Sequence, residues 1–133
     1  MRRPRILIVD DEPAIRRALS RYLHRHGCDV ETAAHGLEGL DQLGRDSFDA
    51  VVSDVQMPRM DGVAFRSAAL ERQPRLRDRF LLCSSLPLPM PLATDPTVHF
   101  LPKPFDGTEL WEALTSLLTP RPEAGRERAL TDP

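Results

Sequence analysis

The chain alternates between short apolar runs and longer stretches in which apolar residues recur at helical spacing. Five runs are too short for helices and rich in aliphatic residues, which predicts β-strands at 5–9, 30–33, 50–54, 80–84 and about 98–101. The first run, RILIV, is almost continuously aliphatic, as in a parallel strand covered on both faces. The second run is the weakest of the five.

Helical patterns occupy most of the gaps between these strands. Pro13 suits the first turn of a helix, and Gly27 supplies a left-handed stop after it. Asp106 and Glu109 form a capping-box pattern before the last helix. The apolar residues at helical spacing are Ile15, Ala18, Leu19, Tyr22 and Leu23; Leu37, Leu40 and Leu43; Val63, Phe65, Ala69 and Leu70; and Leu110, Trp111, Leu114, Leu117 and Leu118.

This alternation predicts an α/β fold, a doubly wound five-stranded parallel sheet with right-handed crossovers and helices on both faces. Pro102 cannot donate a hydrogen bond within the sheet, so the fifth strand should lie at an edge. We predict one domain over 1–118. The last stretch, 119–133, loses the apolar pattern and is predicted to be a flexible tail or the start of a linker.

The gap between the fourth and fifth strands does not follow the helical pattern. Prolines at 87, 89, 91 and 96 remove backbone donors and disfavour the α conformation in the residues before them. We therefore predict that the helix here is missing or irregular, and that Leu88, Met90 and Leu92 are exposed with little packing. Two hypotheses follow: a docking segment for a partner protein, or an insertion without function.

Composition narrows the classes of function. The chain has 41% hydrophobic and 29% charged residues, which are ordinary values for a globular protein. Its net charge of -2 gives no electrostatic reason to expect binding to nucleic acid or to an anionic membrane. The first apolar run stops at three acids, which excludes a signal peptide or membrane span and predicts a cytoplasmic protein. Cys28 and Cys83 are expected to be free core residues.

Chemically active side chains lie at or just beyond the ends of four of the strands. Asp10 and Asp11 follow the first strand, Asp54 ends the third, and Ser84 and Lys103 lie at the ends of the fourth and fifth. Ligands bind beyond the carboxyl ends of such strands. Two carboxylates about 4 Å apart repel by about 4 kcal/mol, so either a proton or a hard divalent cation such as Mg²⁺ is required.

Each of these residues also has a simpler interpretation. Asp10 and Asp11 could only favour the start of a helix through its macrodipole. Asp54 could cap the following turn, Ser84 could be a turn residue, and Lys103 could be a solvated loop residue. Their joint placement at one edge of one sheet favours a site.

Four motifs in order resemble the receiver domain of response regulators in bacterial two-component signalling. They are ILIVDDEP at 6–13, VVSDVQMPRMDG at 51–62, LLCSS at 81–85 and LPKPF at 101–105, and the similarity covers about 5–118. The resemblance implies a flavodoxin-like fold with strand order 2-1-3-4-5.

The resemblance also implies roles for particular residues. Asp54 would accept a phosphoryl group from a phosphohistidine of a histidine kinase or a histidine phosphotransfer protein. Mg²⁺ would be held by Asp10, Asp11, Asp54 and the backbone carbonyl of Gln56. Lys103 would contact the phosphoryl group, with a cis peptide bond before Pro104. Ser84 would be the switch hydroxyl and Phe100 the switch aromatic, although Phe100 could equally fill the core.

The leading hypothesis is a phosphorylation-controlled signalling switch, not a free-standing enzyme, that acts on a downstream protein partner and could dimerise on phosphorylation. A phosphatase with an aspartyl-phosphate intermediate is a second class, but it typically needs an acid where this chain has Gln56. A third class is a receiver that works without phosphorylation as a protein-interaction module, through residues 86–97.

Overall fold

The computed structural model describes residues 2–119, and Met1 and residues 120–133 lie outside the described part. The predicted tail falls almost wholly among those last residues, so the domain boundary at 118 stays a prediction. All five predicted strands are present and parallel, in the order β2-β1-β3-β4-β5. They are Arg5–Val9 (β1), Asp29–Ala33 (β2), Ala50–Asp54 (β3), Phe80–Ser84 (β4) and His99–Pro102 (β5).

In the described part of the chain, four α-helices connect or follow these strands: Pro13–Arg25 (α1), Gly36–Arg45 (α2), Gly62–Arg72 (α3) and Gly107–Leu118 (α4). Local sequence explains where they begin and end. Pro13 lies in the first turn of α1, and Gly27 adopts a φ of 89° beyond its end. Asp106 and Glu109 form the predicted capping box of α4. The doubly wound fold is confirmed, and β5 is an edge strand as Pro102 requires.

The core has two layers because successive side chains of each strand point to opposite faces of the sheet. One layer joins Leu7, Val9 and Val51 of the sheet with Leu40 of α2 and Phe65 of α3. The other layer packs the alternate strand residues against α1 and α4, and includes Ile6, Ile8, Val52, Leu23, Leu110 and Leu114. Cys28 and Cys83 are free and buried, as predicted.

The segment between β4 and β5 contains no α-helix, which confirms the prediction from its prolines. Its regular structure is one 3-10 turn at Leu92–Thr94. The predicted exposure of its three apolar residues is correct only for Met90, which is 70% exposed. Leu88 is half-buried against the core layer that contains Phe80, and Leu92 is half-buried as well. Because no helix connects β4 and β5, the core layer that contains Phe80 is left without a helix beside β4, and Leu88 packs there instead.

Among residues 2–119, no helix combines the length and the apolar composition that a bilayer crossing requires.

Candidate functional site

The carboxyl edge of the sheet brings three predicted acids together. Asp54 is the last residue of β3, and Asp10 and Asp11 follow β1 directly. One carboxylate oxygen from each lies within 4.8 Å of the others, and we call these three residues the acidic cluster. Asp10 and Asp54 are buried, whereas Asp11 is exposed. The cluster is therefore open to solvent on the side of Asp11.

Among the described residues, Lys103, immediately after β5, is the cation that forms ion pairs with the carboxylates of the cluster. Its Nζ lies 3.2 Å from Asp54 Oδ1 and 3.8 Å from Asp10 Oδ2. Asp54 Oδ1 is buried and accepts no hydrogen bond of good geometry, so its contact with Lys103 is a charge pair. One ammonium facing three carboxylates leaves the site with excess negative charge.

The electrostatics of the site appear in two pKa shifts. The pKa of Asp10 is raised, chiefly by burial and also by the charges of Asp54 and Asp11. A hydrogen bond from the Glu12 N–H and the charge of Lys103 act to lower it but do not outweigh the burial. For Lys103, burial acts to lower the pKa, but the carboxylates of Asp54 and Asp10 outweigh it and raise the pKa. Both carboxylates of this pair therefore hold Lys103 in its charged form.

The residues of the cluster fit a hard divalent cation. The donor set consists of carboxylate oxygens and the excess charge is negative. Asp54 Oδ1 is a buried oxygen that accepts no hydrogen bond of good geometry from the described residues. Magnesium prefers oxygen ligands and retains several waters, which the exposed side at Asp11 can accommodate. The cluster could thus hold Mg²⁺.

Backbone hydrogen bonds hold these side chains in place. The Glu12 N–H donates to Asp10 Oδ1 across 2.9 Å, and Arg16 Nη1 donates to the Asp10 carbonyl across 2.7 Å. The Lys103 N–H donates to the Ser84 carbonyl across 2.9 Å, which fixes the start of the Lys103 loop beside β4. The Lys103–Pro104 peptide bond is cis, as predicted. The contact of Arg16 with the Asp10 carbonyl was not predicted from the sequence. It forms because the first turn of α1 brings the Arg16 side chain back to the end of β1.

Gly62 allows α3 to begin directly behind Asp54. A Cβ at this position would lie 2.3 Å from the Asp54 carbonyl oxygen and 2.8 Å from the Val55 Cα. The Gly62 N–H donates to the Val55 carbonyl across 2.8 Å, and Asp61 caps the helix through Ala64 N–H. A side chain at position 62 would therefore collide with the backbone at the end of β3 and displace Asp54.

Ser84 and Gln56 are joined by a hydrogen bond that the sequence did not predict. Ser84 Oγ donates to Gln56 Oε1 across 2.9 Å and accepts from the Leu86 N–H across 2.9 Å. We predicted a role for the Gln56 carbonyl and not for its side chain, because no pattern in the sequence connects an amide after β3 to a hydroxyl at the end of β4. The structure ties the ends of these two strands together.

Phe100 lies on β5 with its side chain 37% exposed. Its neighbour Leu101 points to the opposite face of the strand, where it is buried in the core layer that contains Leu110 and Leu114. The alternative in which Phe100 fills the core is therefore wrong. The aromatic ring is accessible at the edge of the sheet.

The fold and the acidic cluster together define a class: single-sheet, doubly wound α/β domains with a carboxylate site at the strand ends. A family model described as the response regulator receiver domain matches residues 6–115. The chain belongs to this family, and it is a receiver domain of the kind found in two-component response regulators. The resemblance noted in the four motifs is confirmed.

Curated relatives match this chain over only part of their own length. The response regulator MprA of Mycolicibacterium vanbaalenii is 38% identical over 141 aligned positions, which cover 96% of this chain and 57% of that protein. A protein-glutamate methylesterase/protein-glutamine glutaminase of Anaeromyxobacter dehalogenans is 46% identical over 71 residues, which cover 53% of this chain and 20% of that protein. The chain therefore spans little more than half of the length of the M. vanbaalenii regulator and a fifth of the length of the methylesterase.

Solved structures agree with the fold. The chemotaxis protein CheY4 of Vibrio cholerae has a TM-score of 0.76 at 31% identity, covering 87% of this chain and 99% of that one. The receiver domain of the hybrid histidine kinase CckA has a TM-score of 0.73 at 32% identity, covering 86% of this chain and 99% of that one.

Proposed function

We propose that this receiver domain is a phosphorylation-controlled switch whose acceptor is Asp54. The observation that carries the proposal is the state of Asp54 Oδ1: a buried carboxylate oxygen that accepts no hydrogen bond of good geometry from residues 2–119 and lies 3.2 Å from Nζ of Lys103, the only lysine in the sequence. An oxygen with free lone pairs beside a cation is suited to attack an electrophilic phosphorus. The donor would be a phosphohistidine on a histidine kinase or a histidine phosphotransfer protein.

In the transfer step, a carboxylate oxygen of Asp54 forms a bond to phosphorus while the bond from phosphorus to the donor imidazole nitrogen breaks. The electron pair of that bond stays on the imidazole, so the charge of the phosphoryl group moves to Asp54. Mg²⁺, held by Asp10, Asp11, Asp54 and the Gln56 carbonyl, would neutralise charge on the phosphoryl oxygens. Lys103 would exchange its contact with Asp54 for one with a phosphoryl oxygen.

The switch would begin with Ser84. Its hydroxyl is engaged with Gln56, so donation to a phosphoryl oxygen on Asp54 requires that hydrogen bond to break. The Leu86 N–H, bonded to the same hydroxyl, would lose its acceptor geometry. Phe100, exposed at the edge strand, would then change its surroundings, and a downstream protein or a second copy of the chain would read the new surface.

The Gln56 side chain is also why we favour a switch over a phosphatase. Hydrolases with an aspartyl-phosphate intermediate need an acid to protonate a leaving group, and an amide that accepts a hydrogen bond from Ser84 cannot serve as one. We propose that the domain catalyses only its own phosphorylation and dephosphorylation.

Labelling with acetyl phosphate tests the proposal. In the presence of Mg²⁺, intact-mass spectrometry should show one added phosphoryl group on the wild type and none on Asp54→Asn. Excess EDTA should suppress the labelling. Equal labelling of both proteins, or full labelling in EDTA, would contradict the proposal.

Absence of labelling in a folded wild-type protein would favour the second candidate, an interaction module that works without phosphorylation. The observation that favours this candidate is Met90, which is 70% exposed on the irregular segment between β4 and β5.

A further inference from the structure

Helix α1 carries four arginines and a histidine, and residues 13–25 contain no acid. Together with β2 it borders a groove of about 660 Å³. The groove is lined by basic side chains on the helix and by Val30 and Thr32 on the strand, and no acidic residue of the described chain is among its lining residues. Since the net charge of the whole protein is -2, this basic surface is a local concentration of charge.

Three of the arginines are arranged in a way that does not favour α1 itself. Arg17, Arg21 and Arg25 follow one another at intervals of four residues, the spacing at which side chains on a helix are neighbours. Like charges at this spacing destabilise a helix. All three are exposed, and within residues 2–119 none of them has a described ion pair or hydrogen bond. Acidic groups brought by a partner would relieve the repulsion.

The strand beside these arginines has an unpaired edge. Within residues 2–119, β2 is the first strand of the sheet, with β1 on one side and no strand on the other. The Asp29 N–H donates to the Pro4 carbonyl, and the Ala33 carbonyl accepts from the Asp10 N–H, so residues 29, 31 and 33 bond toward β1. Backbone direction alternates along a strand, so the N–H and C=O groups of Val30 and Thr32 point away from the sheet.

We propose that this edge binds an extended acidic segment of a partner protein. The segment would add to the sheet beside β2, exchange hydrogen bonds with the backbones of Val30 and Thr32, and direct alternate carboxylates to Arg17 and Arg21. Outward N–H and C=O groups offer both donors and acceptors, which a peptide backbone matches. Phosphates of nucleic acid or lipid could pair with the arginines but would leave the outward carbonyls unpaired. The proposal does not depend on phosphorylation of Asp54.

The test uses the full chain and a synthetic peptide of alternating glutamate and valine with blocked ends. Binding at low salt should shift the backbone amide resonances of Val30 and Thr32, protect both amides from hydrogen exchange, and weaken as salt is added. Replacing Arg21 by Glu should lower the affinity by about tenfold. The matched control is Arg45→Glu, an exposed helical arginine on α2 outside the groove, which should bind as the wild type does.

A second variant tests the strand pairing separately from the charge. Thr32→Pro removes an N–H that points away from β1, so the sheet should tolerate it while peptide binding is lost. If that variant does not fold, protection of the Val30 amide by the peptide in the wild type gives the same answer. Unchanged affinity in Arg21→Glu would overturn the proposal. So would binding that leaves the Val30 and Thr32 amides unaffected, or tighter binding of duplex DNA or phosphatidylserine vesicles with the same dependence on Arg21.

Discussion

Ser84 donates its hydroxyl hydrogen to the side-chain oxygen of Gln56 across 2.9 Å, and this bond joins the end of β4 to the loop that follows β3. If Ser84 contacts the phosphoryl group on Asp54, the bond to Gln56 competes with that contact. The side chain of Gln56 would then hold the domain in its unphosphorylated arrangement.

The first prediction is that Gln56→Leu binds beryllium fluoride with Mg²⁺ more tightly than the wild type does. The substitution keeps the backbone carbonyl proposed as a metal ligand and removes the acceptor of the Ser84 hydrogen bond. A net hydrogen bond contributes about 1 kcal/mol, so the affinity should rise by roughly fivefold. Titration followed by calorimetry measures the change.

A double-mutant cycle with Ser84→Ala controls for other effects of the leucine. In the Ser84→Ala background, Gln56→Leu should change the affinity little, because the competing hydroxyl is gone. The same increase in both backgrounds would show that Gln56 acts through something other than Ser84.

The second prediction concerns Lys103→Arg. Lysine places a compact ammonium 3.2 Å from Asp54 Oδ1, and arginine would place a wide planar group in the same space. Misplacement at a reacting centre is costly, so we expect labelling by acetyl phosphate to slow by roughly tenfold or more. The fluorescence of Trp111, the one tryptophan of the chain, would report whether beryllium fluoride still induces a conformational change in this variant.

Arg45→Lys is the matched exchange at an exposed position and should leave the labelling rate unchanged. A normal rate in Lys103→Arg would mean that Lys103 serves only to balance the charge of the carboxylates.

The third prediction is a pH dependence of stability at the other end of the sheet. Arg2 forms two hydrogen bonds to Asp49, at 2.8 and 2.9 Å, and the Arg5 N–H donates to the same carboxylate across 2.7 Å. Burial acts to raise the pKa of Asp49, but these bonds outweigh it and lower the pKa below its ordinary value of 3.8. A lowered pKa contributes stability above pH 3.8 that is lost as the pH falls through the folded-state pKa.

Asp49→Asn should therefore reduce the free energy of unfolding by about 1 kcal/mol at pH 7, a modest loss because the partner Arg2 is exposed to solvent. The difference from the wild type should shrink in urea titrations as the pH is lowered below 3.8. Asp41→Asn, on the exposed face of α2, is the control and should change stability little at either pH. A difference that persists at low pH would assign the loss to packing instead of charge.

Most of the fold could be predicted from the sequence because each strand and helix has a local signal. The RILIV run, Pro13 and the capping box at Asp106 each mark a strand or a helix start that can be read from a few neighbouring residues. The acidic cluster was predictable as well, since parallel strands bring Asp10 and Asp54 to one edge by topology alone.

What could not be predicted depends on side-chain placement between elements. The bond between Gln56 and Ser84 joins residues 28 positions apart, and neither has a periodic pattern that points to the other. Leu88 was expected to be exposed because its local sequence is extended. In the structure it packs against the core layer that contains residues of α3 and β4, which the missing helix leaves uncovered. Local propensity says nothing about such a gap.

The fourth prediction separates the two roles of the segment between β4 and β5. Leu88 packs against the core, so Leu88→Ala should cost about 1 to 2 kcal/mol of folding free energy, less than a fully buried leucine does. Met90 is 70% exposed, and Met90→Ala should cost less than about 0.5 kcal/mol. Urea titrations of the two variants give the comparison. Similar losses in both would contradict the packing seen in the structure.

The same segment should respond to phosphorylation through Leu86, whose N–H donates to the Ser84 hydroxyl across 2.9 Å. If that hydroxyl moves to a phosphoryl oxygen, the Leu86 amide loses its acceptor and should exchange with deuterium faster in the presence of beryllium fluoride. Val55, whose N–H donates to the Cys83 carbonyl in the sheet, is the internal control and should not change. Exchange at Leu86 that is insensitive to the mimic would show that Ser84 does not transmit the switch to this segment, because the amide reports directly on the position of the hydroxyl.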